Sequence, residues 1–152
     1  MNDKIEQRLN TLLLKRSKVM EKEINFNDNF DNFFNNLHEV IKNLNNVLEQ
    51  RTREGLRLFR ENPYQRNTSR FFAMVQLFML NDRNAYNLNN SETFPLIKFE
   101  GDEITCNVKS TIIYRNVVNK TNEYAIKDLL DKDKVSEVIL NFLDTIYSLN
   151  DK

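Results

Sequence analysis

The sequence predicts an α+β fold: an N-terminal amphipathic helical hairpin of two helices, the second one long, then an antiparallel β-meander of about four strands, then a C-terminal helix packed on the sheet. Three observations carry this. Apolar residues recur at three- and four-residue steps through most of the first sixty positions. After Pro63, β-branched and aromatic residues gather in short runs separated by turn residues. A second three-four repeat then closes the chain.

In residues 3–23, Ile5, Leu9, Leu12, Leu13, Val19 and Met20 fall on one stripe of a helix. The segment INFNDNF interrupts that stripe, and Asn27 or Asp28 can cap a following helix by accepting its first free N–H groups. That second helix carries Phe30, Phe33, Phe34, Leu37, Ile41, Leu44 and Leu48, the clearest periodicity in the chain. The repeat runs on through Thr52, Leu56 and Phe59 until Pro63, which disfavours helix in the residue before it. Gly55 is the weak point of this helix, costing about 1 kcal/mol relative to Ala.

Beyond Pro63, residues 71–80 (FFAMVQLFML) fit a buried strand or a buried helix by periodicity, and the strand is the favoured reading. Leu96–Phe99 and Ile104–Val108 flank a hairpin loop, Glu100–Glu103, in which Gly101 can take a positive φ. Thr111–Val118 and Tyr124–Ile126 flank a second loop at residues 119–122. Asp131 or Asp133 then caps a terminal helix with Val135, Val138, Ile139, Phe142, Leu143, Ile146 and Leu149 on one face.

A chain of 152 residues matches one ordinary domain. Residues 1–62 read as a helical segment able to act as an oligomerisation arm and 63–152 as a small α+β head, the two forming one cooperative unit. With 40% hydrophobic and 29% charged residues the chain should fold. It contains no apolar run long enough to cross a bilayer, and its start lacks the pattern of a signal peptide, so the expected location is the cytoplasm, with no membrane partner. Zero net charge removes any global attraction to nucleic acid, so electrostatics can act only through local asymmetry.

The search for catalytic chemistry is largely negative. Two glycines cannot build a phosphate-binding loop, and one cysteine, Cys106, with one histidine, His38, supplies neither a zinc site nor a plausible triad. Cys106 reads as a residue packed inside a strand and His38 as a solvated one. Two acidic groups, Glu100/Asp102/Glu103 and Asp128/Asp131/Asp133, supply oxygens of the kind that bind divalent cations, yet solubilised turns and helix caps explain them equally well. No cofactor or metal is therefore expected.

The arginine-rich stretch at 51–70 is the sharpest local signal: six arginines against two acids leave +4. On a continuing helix Arg53, Arg57 and Arg60 share one face, followed by Tyr64, Arg66 and Arg70. A guanidinium fork grips carboxylate or phosphate at two points, and aromatics stack on bases. These six residues form the candidate partner- or anion-binding site, and Phe30, Phe33, Phe34, Leu37, Ile41, Leu44 and Leu48 the candidate oligomerisation face. The layout resembles that of coiled-coil assembly subunits carrying a compact α+β head, such as kinetochore-type RWD modules. The expected function is a non-enzymatic interaction or assembly subunit that binds a protein partner or itself. The alternatives are a nucleic-acid-binding accessory protein using the arginines and, behind it, an enzyme with a carboxylate–metal site.

Overall fold

The structure, a computed structural model, describes residues 2–61, 71–80 and 94–150. One helix, α1 (Asp3–Arg51), opens the chain, capped by the Asn2 side chain accepting from Lys4 N–H at 3.0 Å. Five strands follow: β1 (Glu54–Phe59), β2 (Phe72–Met79), β3 (Leu96–Asp102), β4 (Asn107–Tyr114) and β5 (Val117–Ala125). They form one antiparallel meander in sequence order. A 3-10 helix (Ile126–Leu130) leads into α2 (Lys132–Asn150), and Asp131 caps α2 by accepting from Asp133 N–H at 3.0 Å.

The expected helical hairpin is thus a single helix of 49 residues, about 74 Å long. Asn27 and Asp28 do not cap a second helix because the rings on either side of them hold the backbone helical. Phe26, Phe30 and Phe33 lie at i, i+4 and i+7 and are buried together. Phe26 meets the ring of Phe71 edge-on at 4.8 Å, and Phe33 meets Phe99 at 5.2 Å. Tertiary burial outweighs the local capping preference of Asn and Asp.

At its other end α1 stops earlier than the three-four spacing predicts. Thr52 ends it, its N–H and hydroxyl both bonding Leu48 O, and Arg53 takes a left-handed φ of 60°. Residues 54–59 then pair with β2, so a stretch placed in the helical segment by sequence belongs to the sheet, and the meander has five strands rather than about four. Leu56 and Leu58 alternate with Arg57 and Phe59, a period of two hidden beneath the helical one. Gly55 is accordingly a strand residue, not a weak point in a helix.

The core lies between one face of the sheet and the two helices. Ala73, Val75 and Leu77 of β2, Ile97 and Phe99 of β3, and Val108 and Ile112 of β4 meet Phe33 and Leu37 of α1 and Ile139 and Phe142 of α2 in one cluster. Phe72, Met74 and Leu96 form a second, smaller cluster on the opposite face, which is why β2 is buried on both sides and reads as a continuous apolar run. Residues 71–80 are therefore a strand.

Both predicted loops shift. The first turn lies at Glu103–Cys106, and its positive φ belongs to Cys106 at 59°, which is half-buried in that turn rather than inside a strand. Gly101 sits in β3 with no positive φ, for a packing reason: a Cβ there would lie 2.8 Å from Phe71 Cβ and 2.9 Å from Phe26 Cζ. The second hairpin turns at Arg115–Asn116, both left-handed (φ 55° and 61°), a two-residue connection whose twist matches that of its strands.

Polar contacts fix the helices. The Asn45 side chain pairs with both backbone groups of Leu56 on edge strand β1, accepting from N–H at 2.8 Å and donating to O at 2.9 Å, as a neighbouring strand would. Asn36 donates to the carbonyls of Leu129 and Leu130, and Lys132 pairs with Glu39, holding that exposed carboxyl below its usual range. Tyr147 of α2 donates its hydroxyl to Glu54 Oε1 at 2.9 Å, and burial followed by the neighbouring carboxylate pushes the phenol well above its ordinary range.

Two predictions follow from this packing. Gly101→Ala should destabilise the fold by about 1–3 kcal/mol with an unchanged urea m-value, since an added methyl must displace Phe26 and backbone-anchored Phe71. The Tyr147 phenol has its folded pKa raised, so its contribution is whole below about pH 10 and declines above it, where the unfolded chain releases the proton first. Thermal midpoints should therefore fall more steeply from about pH 10 to 12 in the parent chain than in Tyr147→Phe.

Candidate interaction surface on the amino-terminal arm

The face expected to oligomerise is covered within the chain. Phe30, Phe33, Leu37 and Ile41 are buried, Phe33 being only 1% exposed, and Phe34, Leu44 and Leu48 pack partly against the same cluster. The reason is geometric: α1 crosses the sheet with this stripe facing down, so the sheet and α2 of the same chain cover it.

The stretch expected to form the first helix of the hairpin is uncovered. From Asp3 to Lys22 each residue of α1 is exposed, and the helix first enters the core at Phe26. This arm is about 33 Å long. Ile5, Leu9, Leu12, Leu13, Val19, Met20 and Ile24 lie along one side of it, between 45% (Leu9) and 59% (Ile5) exposed. Seven such side chains present on the order of 600 Å² of apolar surface, at the upper end of the largest patch on a typical monomer. Leu14, 66% exposed, stands on the far side of the helix. The sequence carries the stripe but not its exposure, and Ile24 falls within the expected break at INFNDNF.

The arginine cluster is dispersed. Because β1 is a strand, Arg57 and Arg60 point to opposite faces of the sheet, and Arg53 occupies the turn before it. Arg57 donates from Nε to Gln76 Oε1 at 3.2 Å, and its guanidinium lies 4.4 Å from the ring centroid of Phe78. Arg60 pairs with Asp31 of α1 and lies over the ring of Phe34. Tyr64, Arg66 and Arg70 lie outside the described residues. Arg53, Arg57 and Arg60 therefore share no face, and two of them serve packing within the chain.

Three of the six acidic candidates have structural duties. Asp102 accepts from Ile104 N–H in the turn, Glu100 pairs with Lys98 at 3.3 Å, and Asp131 caps α2. No three His, Cys, Asp or Glu side chains converge among the described residues. A cleft of about 630 Å³ opens beside the point where α1 enters the core, lined by Lys22, Phe26, Cys106, Asn107, Ile126 and Lys127 among others. The Cys106 sulfur lies 3.7 Å from Glu103 O, and exposed His38 lines a different cleft with Asn45 and Leu58, so no thiol–imidazole pair forms. No helix among the described residues is long and apolar enough to cross a membrane.

Comparison with protein-family models, curated proteins and solved structures finds no match for this chain.

The two halves of α1 should respond oppositely to truncation. Phe33→Ala should cost about 3–5 kcal/mol in equilibrium denaturation, whereas Leu12→Ala on the arm should stay within about 0.5 kcal/mol of the parent.

Proposed function

We propose that the chain is a non-enzymatic interaction subunit: an α+β head that anchors a free helical arm, and an arm that docks a protein. One observation carries this reading. A single helix is buried along its second half and exposes an apolar stripe along its first, so the head fixes the direction of a surface that nothing among its described residues covers. Bare helices of this length are marginal in water, and burial of an amphipathic stripe is what ordinarily stabilises them. Docking supplies that burial at about 25 cal/mol per Å² of apolar area removed from water. Arg57 and Arg60, part of the expected binding face, are not used in this reading because they pack within the head.

Amide hydrogen exchange tests the reading directly. In the free chain, amides of residues 3–22 should exchange far faster than those of residues 26–48, and assembly should slow the first set. Leu9→Glu, Leu12→Glu and Val19→Glu combined should abolish assembly in sedimentation experiments while leaving the thermal midpoint unchanged. A strictly monomeric chain whose arm gains no protection with any co-purifying protein would sink the proposal.

A further inference from the structure

Charge along the arm distinguishes between the proteins that can cover it, on the reading that the arm docks a protein at all. With 100° between successive helical residues, Lys4, Arg8, Lys15 and Lys22 form one edge of the apolar stripe. Glu6, Asn10, Ser17 and Glu21 form the other. Two charges of opposite sign, Arg16 and Glu23, interrupt the stripe itself, two turns apart.

A second copy of the chain fits this pattern poorly. In an antiparallel pair related by a two-fold axis each edge meets its own counterpart, so Arg8, Lys15 and Lys22 face the same basic row. In a parallel pair in register Arg16 stacks on Arg16 and Glu23 on Glu23, setting like charges together in the seam. A staggered antiparallel pair that matched Arg16 with Glu23 would run residues 2–13 of each arm along residues 26–37 of the other. There the same side of the helix is taken: Asp31 is paired to Arg60, whose guanidinium lies over Phe34.

We infer that the arm's partner is an amphipathic helix of a different protein. Its apolar seam packs on Leu9, Leu12 and Val19, an acidic edge lies along Lys4, Arg8, Lys15 and Lys22, and an acid and a base face Arg16 and Glu23. The product is a heterotypic two-stranded coiled coil spanning the arm. Like-charge opposition drives copies of this chain apart, and opposite-charge edges select the partner.

Two synthetic helical peptides of roughly three heptads, with the same leucine seam and either glutamate or lysine at the edges, test this by fluorescence anisotropy against the full chain. The glutamate-edged peptide should bind roughly tenfold tighter, the scale of a few edge ion pairs, and the gap should shrink in high salt. Combined Arg8→Glu, Lys15→Glu and Lys22→Glu substitutions should reverse the preference, and Leu12→Glu with Val19→Glu should remove binding of both peptides. Equal affinity for the two peptides would overturn the inference, as would tighter association with phosphatidylserine vesicles than with either peptide. Self-association of the unmodified chain through the arm at micromolar concentration would also overturn it while upholding the docking function. Failure of the arm to bind peptide or copy would overturn both.

Discussion

The seating of Phe26, Phe30 and Phe33 against the sheet is the contact on which the rest of the molecule depends. These rings lie on one face of α1 and meet Phe71 and Phe99 edge-on, so that charge-positive ring edges meet charge-negative faces while a large apolar area leaves water. The contact requires that β3 offer no side chain where the rings descend, and Gly101 meets that requirement: its missing Cβ is occupied space. Fixing α1 at this point keeps it helical through an Asn-rich segment that would otherwise favour a cap. It also sets the line along which the preceding turns leave the head.

From that anchor the polar contacts are arranged to close what the helix would leave open. Edge strand β1 would present unpaired backbone groups, and Asn45 satisfies Leu56 as a neighbouring strand would. Asn36 satisfies two carbonyls where the 3-10 helix ends, and Glu39 and Lys132 join the two helices across the same junction. At the other end of the sheet Tyr147 and Glu54 tie α2 to β1. The Asn45–Leu56 pair joins consecutive elements, whereas the contacts of Asn36, Glu39 and Tyr147 reach elements more than 90 residues away and tie the second half of α1 and the sheet edge to the C-terminal part of the chain.

The consequence for function is a division of labour within one helix. Its second half is a structural element committed to the core, and its first half has no such commitment. An apolar stripe on a helix that leaves the head is costly to expose and cheap to bury against another helix, and this is the physical basis of the proposed docking. In the proposed docking, its basic edge and the opposed charges in its seam supply the selectivity.

The sequence by itself determined the α+β class, the terminal helix and its apolar face, and the positions of the apolar stripes on α1, while it left 71–80 open between strand and helix. These are local periodicities, and period is a property a single segment carries. It also sufficed to show that Gly-rich phosphate loops and multi-cysteine zinc sites lack the residues they need. What it could not decide was which stripe is covered, because two amphipathic stretches look alike until the sheet is in place to bury one of them. Nor could it decide where α1 ends, since residues 52–59 satisfy a helical spacing through Leu56 and Phe59 and a strand spacing through Leu56 and Leu58. Pairing with β2 chose the strand, and that choice dispersed Arg53, Arg57 and Arg60. The role of Gly101 was likewise invisible, because a glycine between two strand-like runs suggests a turn, and only the approach of Phe26 and Phe71 shows that the requirement is for space. Local pattern fixed what each segment can be; burial against distant segments decided what it is, and left the first turns of α1 as the part still facing solvent.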